Sequence, residues 1–162
     1  MWRSLLFIPV LEDRFIQKAA SRGADALVLD LEASIPDNRK AEARNALPAV
    51  VEQLAPQVAV TVRINPSRID AQSDLEACVI PGVQAIHIAL CENAEHIQFI
   101  DGVISELEAK RDLVAGSVKL IAMIETADSA TRAVEIAKAS PRLIGLTLGV
   151  EDYATSMGTS AN

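Results

Sequence analysis

Six short apolar runs punctuate the chain: SLLFIPV (4–10), ALVLDL (26–31), VAVTVRI (58–64), AIHIAL (85–90), KLIAMIE (119–125) and LIGLTLGV (143–150). Each has the length of a strand, and most lack the polar–apolar alternation of a half-solvated one. Runs buried on both faces predict a parallel sheet covered by helices. Longer segments with helical periodicity lie between them. Residues 12–23 end on Gly23, a helix C-cap residue, and residues 37–55 open on Asp37, an N-cap residue. Residues 93–111 and 127–140 carry apolar stripes with charged flanks, the second meeting Pro141. The order reads βαβαβαβαβαβ, a parallel sheet with right-handed crossovers.

Two architectures satisfy that order. A doubly wound open sheet fits 162 residues. A (β/α)8 barrel normally needs about 250, so on that reading the chain stops two strands early. No fixed-period repeat, low-complexity tract or linker interrupts residues 1–162, which read as one domain.

Polar residues gather where the apolar runs end. The second run ends in Asp30 and Glu32, the third in Arg63 and Asn65, the fifth in Glu125 and Thr126, and Glu151 and Asp152 follow the sixth. Catalytic groups of parallel α/β folds collect at this rim, because βα loops vary freely while strands hold them rigidly. Any one of these acids serves equally well as a helix cap or first-turn dipole partner. An arginine and several carboxylates on one rim point to chemistry.

Half of the residues are hydrophobic and the net charge is −7. That charge argues against nucleic-acid or anionic-membrane binding through a basic face, and no apolar run nears the roughly 20 residues of a membrane span. Met1 leads directly into WRSLLFIPV, too short and wrongly flanked for a signal peptide. The two cysteines, Cys78 and Cys91, form no CxxC pair, so a reducing cytoplasm is the expected setting. No GxGxxG, GxxxxGK[ST] or GxSxG motif is present. His87 lies inside the fourth run and reads as a packed histidine; His96 reads as a surface helix residue.

The segments RSLLFIP, KAASRGADALVLDLE, KAEAR, VRIN, IETA and LGVEDYATSMG, in this order over nearly the whole chain, resemble the citrate lyase beta-subunit and malyl-CoA lyase family of the HpcH/HpaI aldolase superfamily. The resemblance implies a TIM barrel of which this chain covers the first six βα units, hence part of a longer chain, assembled as a homotrimer or hexamer and in some relatives beside other lyase-complex subunits. It implies a Mg²⁺-dependent carbon–carbon lyase that cleaves a 3-hydroxyacyl-CoA of the citryl-, malyl- or citramalyl-CoA type into an acyl-CoA and a 2-oxo acid.

By motif, Glu125 and Asp152 resemble the metal-binding carboxylates, and Glu125 also faces the substrate. Arg63 resembles the arginine that grips the oxo-acid carboxylate, and Asp30 and Glu32 the acidic pair of the family's DLED loop. Phe7 and Lys18 fall on the coenzyme A side. Mg²⁺ favours hard oxygen ligands with retained waters, and a guanidinium binds a carboxylate bidentately. Three positions depart from the pattern: Ala33 replaces an acid, Ala89-Leu90 stands where relatives have Pro-Lys, and Glu12 where they carry a basic residue. These departures keep two alternatives open, an aldolase acting on a free hydroxy-oxo acid and a non-catalytic barrel subunit.

Overall fold

All six apolar runs form strands. The structure, a computed structural model, describes residues 2–160. The strands are β1 (Leu5–Pro9), β2 (Ala26–Asp30), β3 (Ala59–Ile64), β4 (Val83–Ile88), β5 (Lys119–Ile124) and β6 (Leu143–Leu148). They pair in parallel in the order β1-β2-β3-β4-β5-β6. A doubly wound sheet reverses its order at a switch point, and none occurs here, so that architecture is excluded. Among the described residues β1 and β6 do not pair, and the sheet is open.

The helices are α1 (Asp13–Ala19), α2 (Lys40–Leu54), α3 (Arg68–Cys78), α4 (Ala94–Lys110), α5 (Ala127–Thr131), α6 (Ala133–Ala137) and α7 (Val150–Ser156). Successive helices pack on one another, α2 on α3, α3 on α4 and α4 on α6, which places them on one side of the sheet. Leu27, Leu29, Val62, Ile64, Ile86 and Ile88 meet them in the main apolar core. Strand alternation turns Val28, Asp30, Thr61, Arg63 and His87 to the opposite face. Burial on both faces holds for β2 and β5, whereas β6, bordered by β5 alone, alternates between half-buried and exposed residues.

The periodicity marked four helical segments, and the structure adds α7 and, between β3 and β4, α3. Its start is readable in S-R-I-D (67–70): the Ser67 hydroxyl accepts from the Asp70 amide at 3.1 Å and donates to the Asp70 carboxylate at 2.7 Å. Asp37 opens a 3₁₀ turn over Asp37–Arg39, and the α-helix proper begins at Lys40. The segment 127–140 splits at Arg132 into α5 and α6. Gly23 ends the turn after α1 with φ +77°, a left-handed value glycine adopts without Cβ strain. No helix of the described residues is long and apolar enough to cross a membrane.

Candidate functional site

The strand register sets Pro9 beside Asp30, Asp30 beside Arg63 and Arg63 beside His87. Asp30 and Arg63 are therefore cross-strand neighbours on one face at the carboxyl ends of β2 and β3. Arg63 donates from Nε and Nη2 to the two Asp30 oxygens, each at 2.7 Å. The same carboxylate accepts the amides of Glu32 and Ser34, both at 2.9 Å. Burial alone would raise the Asp30 pKa, but the guanidinium and these amides outweigh it and hold the carboxyl below its usual range. Asp30 is thus a saturated anion that fixes both Arg63 and the turn after β2.

Glu32 lies differently. Its carboxylate is half-buried, and among the described side chains it approaches Arg63 Nη1, at 3.3 Å. Burial raises its pKa, Arg63 opposes the rise and Asp30 reinforces it. The Nε/Nη2 edge of Arg63 belongs to Asp30, so only the Nη1 side remains for a ligand, next to Glu32. Arg63 also stacks over the Phe7 ring, 5.0 Å from its centroid.

Glu125 follows β5 and is buried at 3% exposure. One oxygen accepts the Leu90 amide at 2.6 Å. Leu90 has φ +45°, a strained value for a non-glycine residue, and this turn aims the amide. The Glu125 carboxylate lies flat against Gly149, where a Cβ would overlap it. Gly149 is in turn fixed by its N–H, which donates to the Ile124 carbonyl at 3.0 Å. Burial raises the Glu125 pKa, the Leu90 amide opposes this, and the charge of Asp152 in the first turn of α7 raises it again. Arg63 and Glu32 act on Glu125 more weakly, so the four groups share one electrostatic neighbourhood.

No group of three or more His, Cys, Asp or Glu side chains is placed to hold a metal among the described residues. Two carboxylates suffice for Mg²⁺, which keeps waters and takes substrate oxygens in its remaining positions. Glu125 has no ion-pair partner within 4.0 Å among the described residues, and burial, then the nearby Asp152 charge, raises its pKa. The donor set therefore fits a divalent cation.

The remaining sequence candidates divide. Phe7 lies under Arg63 and also lines, with Lys18, Phe15 and Arg22, a cavity of about 540 Å³ along the free edge of β1. His87 is fully buried; the Thr61 hydroxyl donates to the Leu27 carbonyl at 2.8 Å, so Thr61 accepts from His87 Nε2 at 3.0 Å. Burial, then Arg63, lowers its pKa to about 4, and the ring is neutral. His96, expected at the surface, sits in the first turn of α4 and is buried at 7% exposure. Sequence reasoning missed the Leu90 amide and the role of Gly149. Backbone donors leave no residue-type signal, though the glycine in LGVED was visible.

The description HpcH/HpaI aldolase/citrate lyase matches residues 3–162. The citrate lyase subunit beta of Escherichia coli (strain K12) is 35% identical over 161 residues, covering 97% of this chain and 53% of that protein. A (3S)-malyl-CoA thioesterase of Cereibacter sphaeroides (strain KD131) is 31% identical over 161 residues, 98% of this chain and 52% of its own length. The citrate lyase beta subunit of M. tuberculosis, solved with oxaloacetate and magnesium, superposes with a TM-score of 0.72 at 30% identity, over 96% of this chain and 61% of that one. The chain thus spans about half the length of the curated relatives it matches.

Proposed function

We propose, from the premise that this chain belongs to the HpcH/HpaI aldolase/citrate lyase family, that it carries the metal and oxo-acid half of a carbon–carbon lyase acting on a 3-hydroxyacyl-CoA. The fold in this reading is a (β/α)8 barrel, of which the sequential parallel strands supply the first six βα units. The observation that carries the reading is the convergence of Glu32, Arg63, Glu125 and Asp152 at strand ends far apart in sequence.

Each group has a distinct task. Glu125 and Asp152 would hold Mg²⁺, which when bound polarises the oxygen that becomes the product carbonyl. Arg63 holds the carboxylate of the oxo-acid portion through its Nη1 side, oriented by Asp30 and Phe7. Asp30 already accepts four donors and does not exchange a proton. Glu32, half-buried with a raised pKa and a long approach to Arg63, takes the substrate hydroxyl proton. The C–C electron pair then passes to the thioester enolate, which takes a proton at carbon from water to give the acyl-CoA; Glu32 returns its proton to the resulting hydroxide, and the 2-oxo acid departs. Coenzyme A enters as part of the substrate.

The test is incubation with citryl-, malyl- and citramalyl-CoA, with and without Mg²⁺. Acetyl-CoA plus the matching 2-oxo acid, dependent on Mg²⁺, is the expected result. Release of free CoA would point instead to thioester hydrolysis, the activity in the name of the C. sphaeroides relative. No product, with no Mg²⁺ or pyruvate binding by calorimetry, would overturn the reading. Gly149→Ala places a methyl on the Glu125 carboxylate and is expected to weaken Mg²⁺ binding tenfold or more.

A further inference from the structure

The KAEAR segment of α2 contributes two cations, Lys40 and Arg44, and neither pairs with a rim carboxylate among the described residues. Lys40 Nζ donates to two consecutive backbone carbonyls of the turn after β2, Leu31 at 2.9 Å and Glu32 at 2.6 Å. It makes no ion pair with a carboxylate within 4.0 Å among the described residues, so its half-buried ammonium is committed to this turn. The Leu31 carbonyl also accepts from Asn65 Nδ2 at 2.9 Å. Asn65 follows β3 and is held by the fully buried Asp74 of α3, which accepts its amide at 2.8 Å and its Nδ2 at 2.7 Å. Arg44 Nε donates to the other Asp74 oxygen at 2.6 Å.

The turn is thus gripped from both ends. Asp30 binds its amides at Glu32 and Ser34, while Lys40 and Asn65 bind its carbonyls at Leu31 and Glu32. The Glu32 carboxylate makes no hydrogen bond to another side chain and only a 3.3 Å approach to Arg63 among the described residues, so its placement depends on its backbone.

We propose that Lys40 is a positioning residue that clamps the Leu31–Glu32 carbonyls and so presents the Glu32 carboxylate beside Arg63, with Asn65, Asp74 and Arg44 as the brace behind it. Its link to ligand binding rests on the oxo-acid reading above; the clamp itself does not. The two carbonyls converge on one nitrogen, a geometry suited to an ammonium with three donors. A methionine keeps the stem and its packing but donates nothing. An arginine retains charge and can still bridge two acceptors.

Hydrogen exchange of the whole chain reads the clamp, and pyruvate affinity in the presence of Mg²⁺ reads its consequence. In Lys40→Met the Glu32 and Ser34 amides are expected to exchange tenfold or more faster, while interior α2 amides such as those of Leu47 and Val51 stay within twofold. The pyruvate Kd is expected to rise fivefold or more, and Lys40→Arg to restore at least half of both changes on a logarithmic scale. Unchanged turn amides, or α2 loosening by the same factor as the turn, would overturn the clamp. A loosened turn with unchanged pyruvate affinity would overturn its role at the site. Absence of pyruvate binding in the unsubstituted protein would sink the oxo-acid reading alone, leaving exchange to decide the clamp.

Discussion

Two arginines set among carboxylates occupy opposite ends of the sheet, and they solve different problems. Arg142, just before β6, donates to Asp101 at 2.6 Å, to both Glu108 oxygens at 2.9 and 2.6 Å, to the Val118 carbonyl and to Ser105. Glu108 also accepts the amides of Gly116 and Val118. Burial works to raise its pKa, but Arg142 and those amides bring it down to about 2. At the other end, Arg63 is given to Asp30, while Glu32 and Glu125 are pushed up. The first cluster is closed on itself. The second carries more negative charge than its one arginine neutralises. A buried ionic group whose partners are all present stabilises; one left short of a cation marks a place where something binds.

Removing Arg142 tests the closed cluster with the largest expected effect. Arg142→Met strands Glu108 and Asp101, and breaking such a buried network costs about 3–5 kcal/mol. Urea unfolding should show that loss, while the protein that remains folded keeps its Mg²⁺ affinity. A loss under 1 kcal/mol would mean the cluster is not structural. The acid limb comes next. A carboxyl whose folded pKa lies below its unfolded value adds stability that is present above pH 4.5 and disappears as pH falls toward about 2. For Glu108 that contribution is on the order of 3 kcal/mol. Glu108→Gln should flatten the stability profile over this window; an unchanged acid limb would assign it to other carboxylates.

The rim acids were legible because they end hydrophobic runs, and the pairing of Asp30 with Arg63 follows once β2 and β3 are neighbours in register. The closed cluster was not legible. Arg142 and Glu108 are separated by 34 positions, and Glu108 sits in a segment whose charges read as solvent-facing. Two of its partners, Gly116 and Val118, are backbone amides of the loop before β5, which no residue type announces. The same holds at the rim for the Leu90 amide. His96 misled because it stands at the start of a helix with polar neighbours, yet it is buried, and α3, which periodicity did not single out, packs on that helix. Strand positions came from local hydrophobicity; side-chain partners depended on which helices lie together.

The smallest effect separates the two regions most directly, because it has the opposite sign. Glu125 is an acid whose folded pKa lies above its usual value, so the fold favours its neutral form. Its contribution to stability is greatest below pH 4.5 and is lost as pH rises through the folded pKa. At pH 7, Glu125→Gln keeps an oxygen for the Leu90 amide and removes the repulsion with Asp152 and Glu32. Unfolding free energy should therefore rise by about 0.5–1 kcal/mol, within the range seen when a site residue is relieved of strain. The gain should vanish at pH 4, where the native carboxyl is itself protonated. Mg²⁺ should reverse the ranking at pH 7: the ion stabilises the unsubstituted protein by binding its folded state, and the glutamine variant responds tenfold more weakly or not at all. A variant less stable than the original at pH 7 without metal, or one with equal Mg²⁺ affinity, would make Glu125 a second Glu108, a structural acid that happens to sit at the rim.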